Sequence, residues 1–183
     1  MTTKGKFEFQ EKLSTGDTMA KNLKNKIDGI RKDSVRERFQ DFENIEHRLE
    51  FVANIHGVEY INDSKATNVN STFYALERMS KNVIWILGGV DKTVDYSSLH
   101  ELVKEKVRAI IYIGTEKSKV FENFLDKVDL IVDASSMQEA VQNAYYASEK
   151  GEVVLLSPAS ASFNLFENLE ERGNAFKKVV RNL

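Results

Sequence analysis

The sequence predicts an α/β fold: a Rossmann-like, mostly parallel sheet of about six strands flanked by helices, with a short helical stub at the N-terminus. Three observations predict it. Short apolar runs alternate with amphipathic segments from His47 to the C-terminus. Those runs are almost unbroken Val, Ile and Leu, the texture of strands covered on both faces. Helix-length segments separate most of them, and strands joined through a helix lie parallel.

Taken in order, residues 1–44 are polar and rich in Lys, Arg and Glu. Leu23, Ile27 and Ile30, then Val35, Phe39 and Phe42, suit two short amphipathic helices broken near Gly29, with Asp33 or Ser34 capping the second. This region is expected to be a helical stub or attached arm, not an independent domain, on a larger unit over residues 45–183. That unit opens with "LEFVAN" and "VEYIN", a hairpin turning at His56-Gly57. The remaining strands are "NVIWIL", "RAIIYI", "DLIVD" and "EVVLL". Helices are expected over 71–79, 97–105, 117–125, 136–150 and 165–180, with Ser71 or Thr72 capping the first. Phe73, Tyr74, Trp85, Tyr112, Phe121 and Phe124 fall at core-like spacing.

Composition removes several functions. With 42% hydrophobic and 30% charged residues, the 183-residue chain reads as globular and not disordered. Lys and Arg number 26 against 28 Asp and Glu, so no basic field recommends a nucleic-acid partner. There is no cysteine for disulfides or thiolate metal sites, and His47, His56 and His100 lack metal-ligand spacing. No apolar run could span a bilayer, so no membrane partner is expected, and the N-terminus lacks the apolar core of a secretory signal. A cytoplasmic location is the expectation. P-loop, dinucleotide-binding and serine-hydrolase motifs are all absent from the chain.

Chemistry is therefore sought where parallel sheets bind ligands, at the carboxyl ends of the strands. "DSKATN" follows the second strand, "GGVDKTVD" the third, "GTEKS" the fourth and "SPASASFN" the last. Each feature has an ordinary reading by itself. Gly88-Gly89 is a turn, Lys92 a solvated charge, and Asp91 and Asp95 loop or cap residues. What exceeds the ordinary is three such loops on one sheet edge. Gly88-Gly89 would let amides approach a ligand, and "SPASAS" offers hydroxyls and N–H groups. Lys65, Thr67, Lys92 and Ser162 around one pocket would suit an anionic small molecule.

The segments "HRLEFV", "GVEYINDSKATNVNST", "LGGVDK" and "LLSPASASFNLFENLEERGNAF", in this order, resemble the C-terminal domain of the D-glutamate-adding Mur ligases, the UDP-N-acetylmuramoylalanine–D-glutamate ligases. The resemblance runs from about residue 45 to 183, with "NDSKATN" its sharpest element. A weaker likeness to the end of the preceding ATPase domain covers about residues 28–44. The resemblance implies an amide-forming reaction in peptidoglycan precursor synthesis. ATP, with Mg2+, converts the carboxylate of UDP-N-acetylmuramoyl-L-alanine to an acyl phosphate, and D-glutamate attacks it, releasing ADP and phosphate. In such enzymes the UDP-sugar, P-loop and magnesium sites lie on other domains, and the C-terminal domain closes the site.

Residue by residue, the resemblance implies that Arg48 and Asp63 contact the base and ribose side of the nucleotide. Lys65 helps neutralise phosphate charge. Thr67, Lys92 and Ser162 hold the D-glutamate carboxylates, with Phe163 lining the pocket. Lys65 and Lys92 are thus the catalytic candidates, acting through positioning and charge and not by taking a proton. Two departures matter: Ser160 stands where the family often has Cys, and Leu169 replaces an aromatic wall of the pocket. Lacking the P-loop and UDP-sugar domains, this chain is expected not to ligate by itself and to retain no cofactor tightly. The alternative is a non-catalytic α/β binding module derived from a ligase. Such a module would have little reason to keep Lys65, Lys92 and Ser162 on one edge. An oxidoreductase domain is disfavoured by the missing glycine fingerprint.

Overall fold

In the computed structural model, residues 45–89, 94–115, 117–161 and 165–183 are described; the expected helical arm over residues 1–44 lies outside them. The apolar runs become strands β1 (Glu50–Ile55), β2 (Val58–Asn62), β3 (Val83–Gly89), β4 (Val107–Gly114), β5 (Leu130–Ala134) and β6 (Val153–Leu156). Between and after them lie α1 (Val69–Arg78), α2 (His100–Lys106), α3 (Lys117–Phe124), α4 (Met137–Ala147) and α5 (Leu169–Val180), with a short 3-10 turn at Ser97–Leu99 before α2.

The sheet order is β1-β2-β6-β3-β4-β5. β1 is antiparallel to β2 and every other pairing is parallel. The β1–β2 turn places His56 at φ 52° and Gly57 at φ 86°, two consecutive left-handed residues, as a type I′ hairpin requires. The most apolar runs, β3, β4 and β6, take the middle. Trp85, Leu87, Ile110, Tyr112 and Leu155 face one layer, built on α1, α2 and α3. Ile84, Ile86, Ile111, Val154 and Leu156 face the other, built on α4 and α5. Alternation of side chains along a strand makes both faces apolar, so a two-sided core follows from the sequence pattern.

The helices change layer where the chain reverses its direction across the sheet. Going from β2 outward to β5 the connections carry α1, α2 and α3; returning from β5 to β6 they carry α4. Connections of one constant hand require this change. β6 therefore sits between β2 and β3 with its exit loop running to the opposite layer from theirs. Such a switch point opens a crevice at the carboxyl ends of the strands.

Two helix starts differ from expectation. α1 is capped by Asn68, whose Oδ1 accepts from the Ser71 N–H at 2.9 Å, so Ser71 and Thr72 lie inside the helix. α5 begins at Leu169 and not near 165, because Asn168 caps it, accepting from the Glu171 N–H at 2.7 Å. Tyr74 is exposed, whereas Trp85, Tyr112 and Phe124 are buried as expected.

Candidate functional site at the carboxyl rim of the sheet

The loops leaving β2, β3 and β6 meet at one rim. A cavity of about 270 Å3 opens there, bounded by Thr67, Asn68 and Asn70 at the start of α1, by Val94 and Asp95 after β3, and by Ala159 and Ser160 after β6. In the first turn of α1 the Ser71 N–H is taken by the Asn68 cap, and the turn as a whole carries the helix's positive dipole end toward this space. Asp95 is already engaged as a cap, its Oδ1 accepting from the Ser97 N–H at 2.9 Å.

Beneath the cavity lies a polar hub. Ser157, fully buried at the end of β6, donates through Oγ to Asp63 Oδ2 at 3.0 Å. Its Oγ is 2.9 Å from Thr72 Oγ1, and its carbonyl accepts from Trp85 Nε1 at 2.7 Å. One serine thus joins the ends of β2, β3 and β6 to α1. Asp63 is 4% exposed and also accepts from the Leu49 N–H at 3.2 Å. Burial pushes its carboxyl up to about 7, against the opposing pull of the Ser157 hydroxyl, the Leu49 N–H and the Arg48 charge.

The segment before β1 is folded onto the same loop. Lys65 N–H donates to the His47 carbonyl at 3.0 Å, and Asn62 Nδ2 donates to His47 Nδ1 at 2.9 Å. His47 is buried. Arg48 stands half-buried between these ties, beside Asp63. Lys65 extends its side chain into solvent, and Thr67 lines the cavity. Leu169 is not among the described residues lining the cavity; its carbonyl accepts from Ser64 Oγ at 2.7 Å. Lys92, Ser162 and Phe163, the other expected ligand contacts, lie outside the described residues.

Two expectations about the loops are corrected. Gly88 has no amide free for a ligand, since its N–H donates to the Pro158 carbonyl at 3.2 Å. It is glycine because a Cβ there would lie 2.4 Å from the carbonyl oxygen of Ile113 on the paired strand. The hydroxyls of Ser157 and Ser160 are likewise spent inside the protein, the latter on the Gly88 carbonyl. Sequence reasoning missed Thr72, Ser64 and Arg172. Ser64 had a signal in its place inside "NDSKATN", and Thr72 and Arg172 lie within the longer segments that carry the resemblance.

Comparison with known proteins gives this rim a context. Residues 47–160 match the family model described as "Mur ligase, glutamate ligase domain". A UDP-N-acetylmuramoylalanine–D-glutamate ligase of Christiangramia forsetii is 53% identical over 175 residues, covering 96% of this chain and 39% of the relative. One of Porphyromonas gingivalis is 52% identical over 167 residues, covering 91% and 37%. The chain therefore spans less than two fifths of the length of these relatives. A solved bifunctional folylpolyglutamate synthase/dihydrofolate synthase of Yersinia pestis superposes with a TM-score of 0.52 at 14% identity, over 76% of this chain and 31% of that one. That last likeness concerns the fold.

Proposed function

This chain belongs to the Mur ligase family through its glutamate ligase domain, and from that premise we propose that it is the D-glutamate-holding, site-closing part of an ADP-forming ligase. The substrates are D-glutamate, ATP and UDP-N-acetylmuramoyl-L-alanine, and the product is an amide made in the cytoplasm. The observation that carries this reading is the cavity at the β6 switch point, walled by the "DSKATN" and "SPASAS" loops.

In this reading Thr67 and the first-turn amides of α1 receive a carboxylate of D-glutamate, as charge-assisted donors do. Lys92 and Ser162 complete the hold, with Phe163 and Leu169 as walls. Arg48, Asp63 and Lys65 face the nucleotide. Asp63 uses two of its roughly four acceptor positions internally, which leaves capacity for a ribose hydroxyl. The chemistry supplied with bound ATP is phosphoryl activation of the substrate carboxylate. In the proposed ligase the magnesium ligands belong to the other domains, as the resemblance implies. The share of this domain is to orient the attacking amine and to exclude water on closure.

Two measurements test the reading. Titration of the 15N-labelled chain with D-glutamate should move amide resonances in residues 63–70, 94–97 and 157–161. No shift at millimolar ligand, or shifts centred on the hairpin at His56-Gly57, would overturn it. Mixed with ATP, Mg2+, D-glutamate and the UDP-sugar, the chain should release no ADP. Release would show that activation of the carboxylate needs nothing beyond these 183 residues.

A further inference from the structure

Arg172 is the most unusual charge in the protein. It lies in the first turns of α5, 3% exposed, and its guanidinium passes under both cavity loops. Nε donates to Ser64 Oγ at 3.0 Å and Nη2 to the Ser64 carbonyl at 2.8 Å. Nη1 donates to the Ser160 carbonyl at 3.1 Å. Among the described residues no carboxylate pairs with it, and burial pushes its pKa down to about 10, so it remains cationic near neutral pH. A buried cation held only by neutral acceptors is costly, and a helix needing mere packing there would carry Leu or Met.

The seat of α5 leaves no slack. At the next residue, Gly173, a Cβ would lie 2.2 Å from His47 Nδ1, so the helix rests directly on the segment that Lys65 and Asn62 hold. We propose that Arg172 is a positioning residue that sets the gap between the loop at residues 63–67 and the loop at residues 157–161, and so sets affinity for the dicarboxylic amino acid. The planar fork spans two loops with three donors; an ammonium at the same place reaches one. The assignment of the ligand rests on the function proposed above. The bracing of the two loops does not.

The test compares the 183-residue chain with Arg172→Met, Arg172→Lys and Glu152→Gln. Glu152 pairs with Arg108 at 2.7 Å at the opposite end of the sheet, so Glu152→Gln serves as a stability control. D-glutamate affinity is read by amide titration, loop order by hydrogen exchange at residues 64–66 and 159–161, and stability by thermal unfolding. Arg172→Met should bind D-glutamate about tenfold more weakly, the loss of about one charge-assisted bond. Both loops should exchange faster together while Asn62 and Leu156 stay protected. Arg172→Lys should weaken binding about threefold and free only one loop. Glu152→Gln should lower the melting temperature yet bind within about twofold of the parent.

Binding by Arg172→Met within about twofold of the parent would overturn the proposal, as would an equal loss in Glu152→Gln. Should the parent itself fail to bind D-glutamate, the functional reading falls and exchange decides the bracing. Loops in Arg172→Met that exchange as in the parent then refute it, and loops that open together sustain it. If Arg172→Met does not fold, Arg172→Lys decides by the same readouts: parental exchange in both loops refutes, selective opening of one sustains.

Discussion

Replacing Asp63 by Asn should stabilise the protein, and increasingly so as pH rises. The carboxyl is 4% exposed, and burial lifts it from 3.8 to about 7 despite the donors at Ser157 and Leu49 and the charge of Arg48. An acid whose pKa rises on folding holds its proton more tightly in the native state. Its contribution is full below the unfolded value and is lost as pH climbs through the folded one. Between those values the loss runs at about 1.4 kcal/mol per pH unit, reaching a plateau near 4 kcal/mol. Asn has the same shape, keeps an acceptor for the Leu49 N–H and carries no charge. The stability of Asp63→Asn minus that of the parent should therefore rise by about 3 kcal/mol from pH 5 to pH 8. Urea unfolding followed by the fluorescence of Trp85, the single tryptophan, measures it. A difference that stays flat or falls with pH would refute the assignment of a buried, charge-penalised carboxylate. Under the proposed function the stabilised variant should also bind ADP more weakly at pH 8, as expected of a group kept for its ligand.

Ser157→Ala removes the hydroxyl shared by Asp63 and Thr72, leaving Asp63 Oδ2 without its donor and Thr72 Oγ1 with only the Ser157 carbonyl at 3.5 Å. A loss of about 2–4 kcal/mol in urea unfolding is expected, and a loss below about 1 kcal/mol would mean that the hub is idle. In Gly173→Ala the helix gains about 1 kcal/mol of propensity, but the new methyl meets His47 Nδ1 at 2.2 Å, and overpacking of that degree costs about 1–3 kcal/mol. Net destabilisation is expected by thermal unfolding; a more stable variant would show that the contact between α5 and His47 yields freely.

The strands were legible because β3, β4 and β6 bury both faces, which leaves their sequences almost without polar interruptions, Arg108 near the start of β4 excepted. The hairpin was legible because a tight turn with two left-handed residues favours glycine, and Gly57 supplies it. Helix starts were less so: Asn68 and Ser71 are both capping residues by type, and the apolar Leu165 and Phe166 made α5 look as if it began before Asn168. "NLEE" at residues 168–171 did carry the spacing of a capping box. The three polar loops could be assigned to one rim, since parallel strands deliver their exits to the same side. The insertion of β6 between β2 and β3 could not, because strand order is set by long-range packing that no local stretch encodes. Arg172 was invisible for a related reason. Within "ENLEERGNAFKK" it is one charge among many, and only the meeting of two distant loops over it makes it different.

The distribution of energetic cost marks the same rim without help from any motif. Of the four non-glycine residues in left-handed backbone among the described residues, His47, Leu49 and Ala159 flank the ends of β1, β2 and β6 there, and only His56 lies elsewhere, at the hairpin. Each such conformation costs about 1–2 kcal/mol. To these add the buried carboxyl of Asp63 and the buried guanidinium of Arg172, which has no carboxylate partner among the described residues. The opposite end of the sheet is held by close ion pairs, Arg108 with the buried Glu152 and Lys81 with Glu59, in which each charge meets its opposite. Stability alone would favour glycine at position 159 and an uncharged acceptor at 63. Strain and buried charge gathered on one edge, over a core apolar on both faces, are what a fold carries where a ligand, and not packing, dictates the geometry.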